Sequence, residues 1–240
     1  MVNKEFLMKN IMKVYKVIAI TIIIVLVMAV LGCDDGSTKG KDITLVCLGD
    51  SLTAGYGAAK PSVEDKSKSY PAYLQKKTGI SVINAGVSGD TTIEALSRVD
   101  SDVLSHKPDI VIILLGANDF FHLTIPVSTT QRNLQTIIDK VDNRNRKIYL
   151  AKFYTDEVAA SFSDILPIPI PSVIIDLYVS QYNNMYKALA ESNNIELIED
   201  IWTGVWVDHM SDPIHPNAEG YEIMADNIYK VIEPYLQTLK

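Results

Sequence analysis

The stretch DIVIILLGAND, residues 109–119, decides the fold. From Ile110 to Leu115 every residue is apolar, with no polar residue at alternate positions. A strand with one wet face alternates, so the strand read here, Asp109–Leu115, is built to be covered on both faces, as central strands of parallel sheets are. It ends abruptly in Gly116-Ala117-Asn118-Asp119, which are small or polar. Two other apolar runs end the same way. Ile43–Leu48 stops at Gly49-Asp50-Ser51, and Ser81–Ala85 runs into Gly86-Val87-Ser88-Gly89-Asp90. Lys147–Phe153 and Ile195–Ile198 read as two further strands.

Helical stretches separate these runs: Tyr70–Thr78, Thr91–Leu104, Val127–Val141, Ser172–Asn193 and the closing Asn217–Leu239. In the second of them Ile93, Leu96, Val99 and Val103 recur at helical spacing. Strand–helix alternation with short connections predicts an α/β fold. The form expected is a three-layer α/β/α sandwich around a central five-stranded parallel sheet. No internal repeat and no second domain interrupt it. One segment breaks the rhythm: Tyr154–Pro171 places Pro167, Pro169 and Pro171 between Leu166, Ile168 and Ile170. Alternating prolines forbid helix there and leave a long, irregular, apolar connection, either a structural cover or part of a functional groove.

In doubly wound sheets ligands bind beyond the carboxyl ends of the strands. The three polar strand ends are therefore expected to meet in one crevice. Ser51 has two readings at this stage: the start of a helix with an Asp or Ser cap, or a hydroxyl held in place to react. A serine nucleophile needs a base, and the chain has four histidines. His106 suits a helix end, His122 has no acidic partner at short range, and His209 directly follows Asp208. His215 differs, because SDPIHPN (211–217) puts Asp212 three residues before it between stiffening prolines. That offset allows a carboxylate to meet one imidazole nitrogen and leaves the other free. Taken by itself, the same motif also fits a capping Asp and a surface His.

Four blocks in order, GDSLTAGYG (49–57), NAGVSGDTT (84–92), GAND (116–119) and DPIHPN (212–217), resemble the SGNH/GDSL esterase and lipase family. The resemblance is closest to its bacterial thioesterase/lysophospholipase and arylesterase branch. It implies a flavodoxin-like hydrolase fold, with Ser51 as nucleophile, His215 as base and Asp212 orienting the histidine. It also implies an oxyanion hole made by the backbone N–H groups of Ser51 and Gly86 and the side-chain amide of Asn118. Asp50 and Asp119 are expected to brace the loops. The activity implied is a serine esterase acting on short- to medium-chain acyl esters, lysophospholipids or thioesters, without metal or cofactor. A carbohydrate O-deacetylase of the envelope and a non-catalytic lipid- or glycan-binding lipoprotein are the alternatives.

The amino terminus is a separate unit. Lys4, Lys9, Lys13 and Lys16 precede the apolar run Val17–Leu31, at 15 residues shorter than a membrane span requires. Val30-Leu31-Gly32-Cys33 resembles the lipobox of bacterial lipoproteins, which implies acylation of Cys33. An uncleaved anchor helix is the alternative, and Met8 or Met12 would also serve as the start. The expected organisation is a signal peptide (1–32), a polar tether (33–42) and a hydrolase domain (43–240), lipid-anchored in a bacterial cell envelope. Residues 1–32 carry four Lys and one Glu, so their removal takes the net charge from −7 to −10. Such an acidic domain is a poor candidate for nucleic acid or for adhesion to anionic headgroups through charge, and neither partner is expected. Attachment falls to the lipid. Cys47, inside an apolar strand, reads as an inert core residue. The expected partner is a small acyl ester, and no obligate protein partner is evident.

Overall fold

The computed structural model describes residues 42–153, 171–206 and 208–239, with residues 8, 12, 13, 16 and 18 ahead of them. The chain divides into two compact units, Met1–Gly40 and Lys41–Lys240. In the first, the five described residues are helical. Cys33, the tether up to residue 41 and the proline-rich segment 154–170 lie outside the described residues. The fold and the site belong to the second unit.

Five strands form one parallel sheet: β1 (Thr44–Gly49), β4 (Ser81–Gly86), β5 (Ile110–Leu114), β6 (Lys147–Ala151) and β7 (Glu196–Ile198). Their order is β4-β1-β5-β6-β7, so the chain steps outward from β1 to one side and then crosses to the other. The switch point falls between β1 and β5, where such sheets open a crevice. All five residues of β5 have no exposed surface, and neither do Leu45–Leu48 of β1. Burying each such side chain contributes roughly 1.5–3 kcal/mol, enough to make β5 the axis of the core. Burial also pushes the Cys47 thiol far above its ordinary range, so it has no thiolate to react with.

Two groups of helices flank the sheet. α2 (Tyr70–Thr78) packs with α8 (Ala218–Gln237), while α6 (Val127–Val141) packs with α3 (Thr92–Ser97) and α7 (Ser172–Asn193). Pairing puts the sheet's functional ends level: Gly49 of β1 sits beside Gly86 of β4 and Leu114 of β5. The segments that leave these strands therefore emerge at one height. α1 (Ser51–Ala54) continues from β1, and α5 (Ala117–Phe121) continues from β5.

Two details differ from expectation. The single helix foreseen over 91–104 is broken into α3, α4 (Val99–Asp102) and a 3-10 turn at Leu104–His106. The break falls at Arg98, whose guanidinium is drawn inward to the carbonyls of Gly49 and Ala85. After α1 the chain forms a hairpin, β2 (Tyr56–Lys60) with β3 (Val63–Glu64), which brings Tyr56 back over the strand ends.

Candidate active site

Asp50 is the N-cap of α1: its Oδ1 accepts the Leu52 N–H at 3.1 Å. The cap ends β1 and starts the helix within one residue, which leaves Ser51 at the helix N-terminus facing the crevice. The other half of the site comes from the loop before α8. Met210 pairs with Pro216, the Ser211 N–H donates to His215 O at 2.8 Å, and the Asn217 N–H donates to His209 O at 2.8 Å. Asn217 then caps α8 by accepting the Gly220 N–H at 3.0 Å. These bonds close 209–217 into a rigid loop.

The two halves meet. His215 Nε2 lies 2.9 Å from Ser51 Oγ, and His215 Nδ1 lies 2.8 Å from Asp212 Oδ2 and 3.0 Å from Oδ1. An ionised carboxylate only accepts, so Nδ1 carries the ring proton and Nε2 is left to accept from the serine hydroxyl. Burial by itself would raise the Asp212 carboxyl. The N–H groups of Ile214 and His215, each at 2.8 Å, together with the imidazole outweigh that and hold it below its usual range. The Tyr56 ring packs on the imidazole with centroids 4.6 Å apart, limiting how the ring can swing.

Asn118 lines the same cleft, which has a volume of about 380 Å³ and also takes in Ser88, Gly89 and Ile214. One amide hydrogen of Asn118 is fixed on the Asp90 carbonyl at 2.8 Å, and the other remains to donate. The Ser88 hydroxyl, also at the cleft, donates to Glu64 at 2.8 Å.

Gly86 does not sit where the sequence placed it. Its N–H is already donated to Asn84 Oδ1 at 2.9 Å, its carbonyl accepts Lys66 Nζ at 3.0 Å, and it does not line the cleft. The glycine is needed for a different reason, since a Cβ there would lie 2.3 Å from the Ala54 nitrogen and drive α1 off the sheet. Gly89 stands at the cleft in its place. Its φ is +90°, nothing lies within 4 Å of where a Cβ would be, and its N–H donates to no group among the described residues. The Ser51 N–H is equally free. The signal that separates the two glycines is the Ser88-Gly89-Asp90 turn, which needs a positive φ where β4 has already ended.

Asp119 braces the core side. It is buried and accepts the Thr92 N–H at 2.8 Å, the Thr92 hydroxyl at 2.5 Å and the Thr130 hydroxyl at 3.1 Å. His106 and His122 are exposed and outside the cleft, and His209 faces Glu219.

Asp50 carries an electrostatic load. Burial first, then the carboxylates of Asp90 and Asp119, raise its pKa to about 7 against the Leu52 N–H bond. Its folded value thus exceeds its unfolded one of about 3.9. Between those values the folded state holds a proton that the unfolded state has lost, so stability falls as pH rises through the window. Asp50→Asn keeps the cap acceptor and removes the load. The variant is expected to melt level with wild type near pH 4, gain steadily up to pH 7 and plateau at up to roughly 10 °C higher, a gain of about 4 kcal/mol. Thermal unfolding across pH 4–9 measures it, and a gain independent of pH would refute this role of the charge.

The GDSL-like lipase/acylhydrolase family profile matches residues 47–223, a span that takes in both halves of the site. The chain is 29% identical over 196 residues to thioesterase 1/protease 1/lysophospholipase L1 of Escherichia coli (strain K12), covering 80% of this chain and 84% of that one. It is 28% identical over 214 residues to an arylesterase of Vibrio mimicus, covering 85% and 94%. The crystal structure of the psychrotrophic esterase EstA from Pseudoalteromonas sp., inhibited by monoethylphosphonate, superposes with a TM-score of 0.64 at 26% identity. That match covers 82% of this chain and all of that one.

Proposed function

Since the chain belongs to the GDSL-like lipase/acylhydrolase family, with esterases among its relatives, we propose that it hydrolyses carboxylic acyl esters through an acyl-enzyme on Ser51. The observation that carries this reading is the unbroken relay from Ser51 Oγ to His215 at 2.9 Å and on to Asp212 at 2.8 Å. In it, the serine oxygen attacks the ester carbonyl as Nε2 takes its proton, and Asp212 stabilises the imidazolium that results. The imidazolium returns the proton to the departing alkoxide. Water, activated by the same nitrogen, then releases the acid and restores the serine.

The charge that develops on the carbonyl oxygen needs donors already in place. Three are at hand: the N–H groups of Ser51 and Gly89 and the second amide hydrogen of Asn118. Gly89 takes the part first given to Gly86, because a donor must be unspent and must reach the cleft.

Short- to medium-chain acyl esters, including lysophospholipids and thioesters, are the substrates we assign. Tyr56, Pro213 and Ile214 supply the apolar part of a cleft wide enough for a small acyl group. The test is a hydrolysis panel of nitrophenyl esters of increasing chain length, acyl thioesters, lysophospholipids and acetylated sugars, with Ser51→Ala as control. A rise from acetyl to medium chains supports the assignment, and sole action on acetylated sugars makes the protein an O-deacetylase. Ligand binding without any turnover makes it a binding lipoprotein.

The basic amino terminus, apolar run and Cys33 support a location in the bacterial envelope, anchored by lipid on Cys33. Native protein should then fractionate with membranes and begin at a modified Cys33, while Cys33→Ser should accumulate as the longer precursor. Mass spectrometry of the native amino terminus decides the matter, and an unmodified starting Met would exclude the anchor.

A further inference from the structure

We infer that Arg98 is a positioning residue that holds the three oxyanion donors in register. This rests on the esterase reading above. Arg98 belongs to no motif and sits where α3 ends, yet its side chain is only 14% exposed. Its guanidinium makes four bonds. Nε donates to Asp90 Oδ2 at 2.6 Å, Nη1 to Ala85 O at 2.8 Å and to Asp102 Oδ2 at 3.0 Å, and Nη2 to Gly49 O at 2.9 Å.

Two of the three inward bonds, to Gly49 and Asp90, lead to a donor within two residues or one further hydrogen bond, while the bond to Ala85 ties the guanidinium to the neighbouring strand end. Gly49 is two residues before Ser51, so the clamp on its carbonyl fixes where the Ser51 N–H points. Asp90 adjoins Gly89, so holding its carboxylate sets the turn that presents the Gly89 N–H. The Asp90 carbonyl accepts the Asn118 amide at 2.8 Å and so chooses the rotamer of that side chain. One planar, always-charged group can make these bonds at fixed angles, which a lysine cannot.

Charge adds to geometry. Asp50, Asp90 and Asp119 are all buried near the strand ends, and their field opposes a developing oxyanion. Arg98 is ion-paired with Asp90 and is the cation bound to the Gly49 and Ala85 carbonyls. It therefore offsets part of that field where the reaction builds negative charge.

The test is a mutant cycle on the full chain with a soluble nitrophenyl ester: Arg98→Lys, Asn118→Ala and the double variant, each checked for fold by thermal melting. Arg98→Lys is expected to lose about tenfold or more in kcat with KM within roughly threefold, because misplaced donors weaken the transition state more than the bound ester. The double variant should fall short of the product of the two single losses, since the part of the lysine's effect that runs through the Asp90–Asn118 bond is already gone in the alanine background. Asp102→Asn, which alters only the outer partner, should keep wild-type kcat. Arg98→Lys with unchanged kcat, or losses that multiply in full, would overturn the inference by leaving Arg98 a purely structural brace. If Arg98→Lys does not fold, Asp90→Asn enters the same cycle, because it weakens the clamp while keeping an oxygen acceptor, and the same outcomes apply. A fully active Asn118→Ala enzyme would instead remove Asn118 from the oxyanion reading, and the kcat of Arg98→Lys or Asp90→Asn then decides on Arg98.

Discussion

Ser51→Ala is expected to lower kcat for ester hydrolysis by about 10³-fold or more while leaving KM within a few-fold. The alanine removes the oxygen that bonds to the acyl carbon in the proposed reaction, but it leaves the cap at Asp50 and the loop around His215 in place. His215→Ala should be similarly poor, because without Nε2 nothing takes the hydroxyl proton at 2.9 Å. The double variant should be little worse than either single one, since nucleophile and base act as a unit. Asp212→Asn belongs in the same series. It would present an amide to Nδ1, so the ring proton would move to Nε2 and face the serine as a donor. Full or near-full esterase activity in Ser51→Ala, measured with enzyme free of host hydrolases, would end the nucleophile assignment.

Much of this frame was legible in the sequence because the features that carry it are periodic or local. β5 announces itself by six apolar residues in a row, and all five strands lie within two residues of their expected limits. The Asp212–His215 offset is also local, and its loop closes through backbone bonds between near neighbours. Legibility ends where side chains turn away from the pattern of their element. Arg98 counts as one more polar residue of a helix, and nothing in its spacing says that it reaches inward to two strand ends and breaks the helix there. Gly86 and Gly89 are identical as letters; what separates them is the positive φ of the turn at Gly89 and hydrogen bonding, the N–H of Gly86 being spent on Asn84 and that of Gly89 donating to no group among the described residues. The β2–β3 hairpin was hidden by its shortness and by the glycines at its start. It nevertheless delivers Tyr56 to the face of the His215 imidazole.

Asn118→Ala tests the other half of the mechanism, and the expected loss is about 10²-fold in kcat with little change in KM. The asymmetry arises from the charge that the amide meets. A ground-state ester carbonyl carries a partial charge and is bound adequately by the two backbone N–H groups. The tetrahedral intermediate carries a full one, and there a third donor, fixed in advance by the Asp90 carbonyl, has most of its effect. Alanine leaves that carbonyl without its donor and a gap that water can enter, so part of the loss is recovered by a mobile water rather than by a fixed amide. Asn118→Asp should be worse than alanine, because it sets a carboxylate beside the developing oxyanion and against the Asp90 carbonyl. The order wild type, alanine, aspartate in kcat, at similar KM, separates oxyanion stabilisation from simple binding. A rise in KM with kcat preserved in the alanine variant would make Asn118 a residue that holds the substrate, and the oxyanion would then rest on Ser51 and Gly89 alone.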